Sequence, residues 1–247
     1  NDDGTIREII PLKGAPKIVT KRIVQDMDAA YYPTETIVPS TQIVHDRTVL
    51  ELFRGCIRGC RFCQAGFCYR PVRPKSPERL YEIAVKSLEN SGYDEMTLSS
   101  LSTSDYKKLG EFADKMLDYC IPRGINLRLP SLRADNFSVE LMQKVQKVRK
   151  SGLTFAPEAG TQRLRDAINK NVTEEDILRS CSTAFAGGWS KVKLYFMLGL
   201  PTETDEDVLG IADLAHKVLT AWRENTPNPK RPVTITISTS FFVPKNG

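Results

Sequence analysis

Apolar and polar positions change their rhythm several times along the chain. Residues 1–46 have no period. Pro33, Thr34, Pro39, Ser40 and Thr41 punctuate short apolar pieces such as Ile37-Val38, so this stretch predicts an extended lead-in segment, not a folded unit. Residues 48–53 form a short apolar run bounded by Gly55, the pattern of a buried strand. Ser76-Pro77-Glu78 then reads as an N-cap, a proline at the first helical position and an acid. The helix it opens places Leu80, Ile83, Ala84, Val85 and Leu88 on one face. Residues 95–101 predict the next strand. Ser104 is placed to cap a helix with the stripe Tyr106, Leu109, Phe112, Ala113, Met116 and Leu117.

The alternation repeats. Ile125, Leu127 and Leu129 alternate with Asn126 and Arg128, a strand. Ser138 opens a helix with Val139, Met142, Val145 and Val148 inward, and residues 153–156 are a short strand. Residues 161–168 and 173–186 predict helices, the second with a Thr173-x-x-Asp176 capping signal. Val192, Leu194, Phe196 and Leu198 mark a strand, residues 204–222 a helix, and residues 233–243, rich in Thr, Ile, Phe and Val, a final strand. About six strands separated by helices imply parallel pairing with right-handed crossovers. Six units are too few for an eight-stranded barrel. They suit an α/β fold, either an open partial (β/α)6 barrel with outer helices or a doubly wound sheet, and in both the ligands bind at the C-terminal strand ends. The expected organisation is a lead-in segment over residues 1–46 and a catalytic core over residues 47–247.

Composition narrows the class. The 247 residues are 40% hydrophobic and 26% charged, ordinary for a globular protein, and the net charge of +5 decides nothing about nucleic acid by itself. No apolar run approaches the ~20 residues of a membrane helix. The first residues, Asn1-Asp2-Asp3-Gly4, do not resemble a secretory signal, and without an initiator Met the chain reads as a trimmed or excised segment. Of the six cysteines, Cys56, Cys60, Cys63 and Cys68 cluster within a few residues. In a large, Lys/Arg-rich chain this clustering favours metal ligation in a reducing, cytoplasmic compartment over disulfides. Cys120 and Cys181 fall in helical patterns, where small buried residues are expected.

The stretch Arg54-Gly55-Cys56-Ile57-Arg58-Gly59-Cys60-Arg61-Phe62-Cys63 directly follows the first strand. Its C-x3-C-x2-C spacing lets three thiolates converge on one iron–sulfur cubane, and Gly55 and Gly59 let the loop fold tightly. Three ligands for four irons leave one iron open for chemistry. Two other readings remain: a zinc site completed by Cys68, or a plain electron carrier with Cys68 as the fourth cluster ligand. A basic run of Arg54, Arg58, Arg61, Arg70, Arg73 and Lys75 surrounds the cysteines without an acid. It either compensates thiolate charge or meets an anionic substrate, RNA or a phosphorylated metabolite. Phe62, Phe67 and Tyr69 among these charges are compatible with base stacking. His45 and His216 have no ligand-spaced partners and are expected to be structural or exposed.

This stretch resembles the signature of the radical S-adenosylmethionine (SAM) superfamily, C-x3-C-x-aromatic-C, with Phe62 at the aromatic position. The resemblance covers residues 47–244, and extends to radical SAM proteins that carry a cobalamin-binding-like domain before the core. Residues 1–46 would then be the tail of that domain and its linker, and the family usually continues beyond the last strand. The Asp-x-His-x-x-Gly cobalamin motif is absent, so cobalamin is not expected in this segment. The resemblance implies a [4Fe-4S] cluster on Cys56, Cys60 and Cys63, with SAM chelated at the open iron. One electron from a reductant such as flavodoxin or ferredoxin then yields a 5′-deoxyadenosyl radical that abstracts hydrogen from the substrate.

The resemblance also places SAM contacts at the strand ends. Phe62 lies beside the adenine. Ser100, in Ser99-Ser100-Leu101-Ser102, takes the place where the family meets the SAM amino group. Arg133 reaches the SAM carboxylate or pairs with Asp135. Glu158, in Pro157-Glu158-Ala159-Gly160, meets the ribose or sulfonium, or only complements a helix dipole. Leu200, in Gly199-Leu200-Pro201-Thr202-Glu203-Thr204, packs on adenine, Thr202 standing where the family has a second glycine; alternatively this is a simple strand-to-helix turn capped by Thr204. The alternative from another class is a non-catalytic Cys-rich zinc or nucleic-acid-binding module.

Overall fold

The computed structural model describes residues 2–129, 133, 140, 143 and 152–244. The predicted helix opened by Ser138 is outside the described residues apart from Glu140 and Gln143. Of the predicted turn at 131–135, only Arg133 is described.

The first half of the chain folds as β1 (Thr48–Glu51), β2 (Phe53–Arg54), α1 (Ala65–Cys68), β3 (Arg73–Pro74), α2 (Pro77–Ser91), β4 (Glu95–Ser99), α3 (Leu109–Cys120) and β5 (Asn126–Arg128). The second half is β6 (Leu153–Glu158), α4 (Gln162–Ala167), α5 (Glu174–Ala186), β7 (Lys191–Leu198), α6 (Asp205–Asn225) and β8 (Thr234–Phe241). The result is a mixed α/β fold with two parallel three-stranded sheets, β1-β4-β5 and β6-β7-β8, and a small antiparallel β2-β3 pair. Among the described residues the strands do not close into a barrel.

Helix starts follow the local chemistry. The Ser76 hydroxyl accepts the Arg79 N–H at 3.2 Å, with Pro77 at the first helical position of α2; such a cap stabilises by about 1 kcal/mol. Thr173 and Asp176 make both hydrogen bonds of a capping box at α5. Leu80, Ile83, Ala84 and Leu88 of α2 and Phe112, Ala113, Met116 and Leu117 of α3 pack on Leu50, Met96 and Leu98 from β1 and β4. In the second half, Ile177, Cys181 and Phe185 of α5 and Ile211, Leu214 and Val218 of α6 cover Phe155, Val192, Leu194 and Phe196. Each fully buried Leu, Ile or Phe stabilises by roughly 1.5–3 kcal/mol. The helices thus cover one sheet face. The other carries Val49, Glu51, Thr97, Ser99, Lys193 and Tyr195, all at least partly exposed.

Two expectations need correcting. The first strand does not run unbroken to Phe53: the chain turns at Leu52, and Phe53–Arg54 pairs antiparallel with Arg73–Pro74. Ser104 does not cap α3. It lies in a 3-10 turn at Thr103–Asp105, its hydroxyl accepts the Arg133 N–H at 3.1 Å, and α3 begins at Leu109 without a side-chain cap. In the next strand Asn126 is buried, its amide donating to Glu95 Oε2 at 3.0 Å, a carboxylate that also holds Arg47 and Arg128.

Residues 2–46 contain no helix or strand, yet they are held to the core. Met27 is buried, Asp28 accepts the Ser76 N–H at 2.8 Å, and the Tyr32 hydroxyl donates to the Val49 carbonyl at 2.5 Å.

Candidate active site

The cysteine loop is an excursion between β2 and β3, so its two ends are tied by strand pairing at the tip of the first sheet. Gly55 makes this possible. Its φ is +100°, and a Cβ there would stand 2.6 Å from the Tyr69 and Pro71 carbonyl oxygens. A second glycine escaped the sequence reading: a Cβ on Gly66 would overlap the Arg58 carbonyl oxygen. Within the loop, the Cys63 N–H donates to the Cys60 carbonyl at 3.1 Å and the Arg58 N–H to Cys56 Sγ at 3.4 Å. Arg58 is paired with Asp105 through two guanidinium nitrogens, Nε to Oδ2 at 2.9 Å and Nη2 to Oδ1.

Cys56, Cys60 and Cys63 are free and half-buried, Cys68 is free and exposed, and Cys120 and Cys181 are free and buried. Burial pushes the Cys60 thiol up; Lys170 and Arg133 pull it down, and the neighbouring Cys63 and Cys56 push it up again. Burial alone raises the Cys181 thiol to about 12 and is the main cause for Cys120, at about 11, so both stay inert. Among the described residues, no three His, Cys, Asp or Glu side chains close to the spacing of a single-ion site. Thiols that share a cubane each bind a different iron, so they stand farther apart than the ligands of one ion. Three half-buried thiols that feel one another, with two cations beside them, are a donor set that fits such a cluster.

The second half of the chain grips this loop. The Arg61 N–H donates to the Ile168 carbonyl at 2.9 Å and Arg61 Nη1 to the Ala167 carbonyl at 2.7 Å. Asn169, at φ +53°, donates its amide to the Gly59 carbonyl at 2.7 Å. Arg133 Nη2 donates to the Lys170 and Asn171 carbonyls, each at 3.3 Å. Lys170 Nζ donates to Glu158 Oε1 at 3.0 Å and stands 5.7 Å from the Phe62 ring centroid. Glu158 sits at the end of β6 with φ +70°, where the register with β7 shifts. The fully buried Arg165 supports this turn, donating Nη1 to the Ala159 carbonyl at 3.0 Å and the Gly160 carbonyl at 3.3 Å.

Phe62 packs on a small cluster of Ala159, Leu164, Ile168 and Leu200. Phe62 and Leu200 share a pocket of about 230 Å³ with Arg61, Ile168 and Pro201. Gly199 N–H donates to Glu203 Oε2 at 2.6 Å, and Thr202 takes φ +68°, a left-handed conformation at the position where a glycine is expected. Ser100, at the end of β4, has its hydroxyl 3.0 Å from that of Thr103. Cys60, Phe62, Arg133 and Glu158 therefore meet around Lys170, and Leu200 joins through Phe62. Ser100 lies on a separate cavity at the ends of β1 and β4, and Cys56 lines another of about 610 Å³ with Phe53 and Tyr106. The sequence reading missed Lys170, Asn169 and Arg165. Their only signal was proximity in sequence to the Pro157-Glu158-Ala159-Gly160 turn.

The profile of the Radical SAM superfamily matches residues 50–215. This chain belongs to the radical SAM superfamily. The enzymes of this superfamily use a [4Fe-4S] cluster and SAM. The chain is 34% identical over 217 residues to the uncharacterised protein MJ0966 of Methanocaldococcus jannaschii, covering 87% of this chain and 46% of that protein. It is 26% identical over 182 residues to tRNA-2-methylthio-N(6)-dimethylallyladenosine synthase of Pelotomaculum thermopropionicum, covering 70% and 40% respectively. The chain thus spans less than half the length of these relatives. Its fold is similar to that of the radical SAM methyltransferase TsrM of Kitasatospora setae, solved with cobalamin and a [4Fe-4S] cluster, at a TM-score of 0.60 and 14% identity, covering 78% of this chain and 36% of that one.

Proposed function

We propose that Cys56, Cys60 and Cys63 hold a [4Fe-4S] cluster, that SAM binds at its open iron, and that this chain is the core of an enzyme doing radical chemistry on a further substrate. The bound cluster would supply the electron that splits SAM to methionine and a 5′-deoxyadenosyl radical, which takes a hydrogen atom from the substrate. The observation that carries this reading is the meeting of the cysteine loop with the β6 strand end around Lys170.

Each side chain has a task in this reading. The Phe62 ring and Leu200 give an apolar wall for adenine. The Glu158 carboxylate, oriented by Lys170, accepts from ribose hydroxyls or faces the sulfonium. The Arg133 guanidinium, oriented by the Lys170 and Asn171 carbonyls, reaches the SAM carboxylate. The Ser100 hydroxyl accepts from the SAM ammonium. The two sheets then form one open partial (β/α)6 barrel over residues 47–247, with residues 1–46 as its lead-in. Two facts support this: Leu129 packs against both cores, and one sheet face is left without helices. The reductant is a flavodoxin- or ferredoxin-type protein and the setting is the cytoplasm. No described helix is long and apolar enough to cross a membrane. The substrate is RNA or an anionic metabolite: the tRNA named for one relative and the uncancelled arginines of the loop both point to an anion.

Anaerobic reconstitution tests this. Iron and sulfide near about four each per chain, with 5′-deoxyadenosine formed from SAM under reduction, are the expected result. Cys63→Ala should abolish both, and Cys120→Ala should retain them. Stoichiometric zinc without iron, and intact SAM, would sink the proposal.

A further inference from the structure

A cavity of about 620 Å³ opens at the ends of β1 and β4, beside the base of the cysteine loop. Glu51, Arg54, Arg73 and Ser100 line it from the core, and Lys21 and Arg22 line it from the lead-in segment. Four cations face one carboxylate. Glu51 is already shared, accepting from Arg54 Nε at 2.9 Å and from Lys75 Nζ at 3.3 Å. Lys21 donates to the Cys68 and Arg70 carbonyls at 2.6 Å each, and Arg73 to the Pro71 and Val24 carbonyls at 3.2 and 3.3 Å. Carbonyl dipoles orient these cations but carry no net charge to cancel theirs. Arg22 is exposed and has no ion-pair partner among the described residues.

Two obvious sources of negative charge do not account for this excess. SAM has one carboxylate against an ammonium and a sulfonium, so it adds a net positive charge. The cluster that the thiols would hold is the other, and none of Cys56, Cys60 and Cys63 lines this cavity. The remaining source is a ligand.

We infer that this cavity binds the anionic group, phosphate or carboxylate, of a small-molecule substrate, and that Arg22 and Lys21 bring the lead-in segment into the substrate site. That the ligand is the substrate rests on the radical SAM reading above. The cavity lies in the ~300–1,000 Å³ range of small-molecule sites. Lys21 has a second task there: by holding the Cys68 and Arg70 carbonyls it ties the lead-in segment to the returning limb of the cysteine loop.

The test titrates pyrophosphate and, separately, citrate into the reconstituted full chain by calorimetry at low salt. At least one probe should bind saturably, and Arg22→Glu should weaken it by about tenfold or more. Lys108→Glu, an equal change of charge on the other large cavity, should leave binding within about twofold. Preference for pyrophosphate or citrate identifies the group as phosphate or carboxylate. Three results would overturn the inference: no saturable binding of either probe, equal loss in both variants, or Arg22 sensitivity seen only with a short single-stranded RNA. SAM cleavage is followed on the same samples. Cleavage without anion binding removes this inference alone. Anion binding without cleavage counts against the radical SAM reading and leaves the anion site standing.

Discussion

The β1-β4-β5 half carries all three thiols of the C-x3-C-x2-C loop, whereas the β6-β7-β8 half supplies side chains and carbonyls that hold the middle of that loop from across the molecule. The first half contributes a loop closed at its base by strand pairing and by a glycine at φ +100°. The second contributes the Ala167 and Ile168 carbonyls and the Asn169 amide to the loop, with the Lys170–Glu158 pair beside Phe62. The two also differ in how charge is used. Around the loop, Arg58 is paired with Asp105, but Arg61 and Arg70 bind carbonyls and keep their charge; at the foot of α6, charge is cancelled. Asp207, nearly inaccessible, accepts from Thr161, Thr204 and Arg163. Burial pushes this carboxyl up, but those hydrogen bonds win and hold it at about 2. Charge is thus cancelled inside the second half and left open at Arg61 and Arg70, in the loop that the two halves share.

Four changes would sharpen or break this comparison. The largest effect is expected from Gly66→Ala, whose new Cβ would overlap the Arg58 carbonyl. Iron per reconstituted chain should fall to near zero while far-UV circular dichroism stays native; normal iron content would show that the loop does not need this approach. Next is Asp207→Asn. The folded carboxyl is held near 2 against an ordinary 3.8, so its stabilisation is complete above about pH 4 and is lost as pH falls toward 2. Urea unfolding at neutral pH should lose about 2 kcal/mol in the variant, and the wild-type decline between pH 4 and 2 should flatten. An unchanged decline would place the acid-sensitive group elsewhere.

Asn169→Ala comes third. It removes the hydrogen bond to Gly59 and puts alanine at φ +53°, together about 1–2 kcal/mol. Because this contact spans the halves, the iron chromophore should be lost to chelator faster than in wild type. A loss of stability with no change in cluster lifetime would break the proposed coupling. The smallest effect is a gain: Thr202→Gly relieves a β-branched residue at φ +68° and should raise stability by up to about 1 kcal/mol. A loss instead would mean that the Thr202 side chain is needed at the turn.

Much of the frame was legible because its signals are local. Ser76-Pro77 and Thr173-x-x-Asp176 satisfy orphan N–H groups within one turn, so capping chemistry reads directly from the chain. The failures came where distant groups compete. Ser104 has good capping chemistry, but its hydroxyl accepts from Arg133 instead. Asn126, a polar residue of an alternating strand, is buried because Glu95 offers it a partner from the neighbouring strand. At the site, the cysteines and Phe62 declared themselves by spacing, whereas Lys170 carries no local pattern. Its importance arises only because Glu158, Phe62 and Cys60 arrive beside it from other segments.

The sequence by itself determined the spacing of the three thiols, the strand–helix alternation and the superfamily, because each depends on spacing over a few residues. Only the tertiary structure decided what holds the loop and what surrounds it. The bonds from Arg61 to Ala167 and from Asn169 to Gly59 join residues 106 and 110 positions apart. The cations of Lys21 and Arg22 reach Arg54 and Arg73 only through the docking of a segment without secondary structure. A hydrogen bond or an uncancelled charge depends on distance in space, and that distance exists only after the two cores have packed.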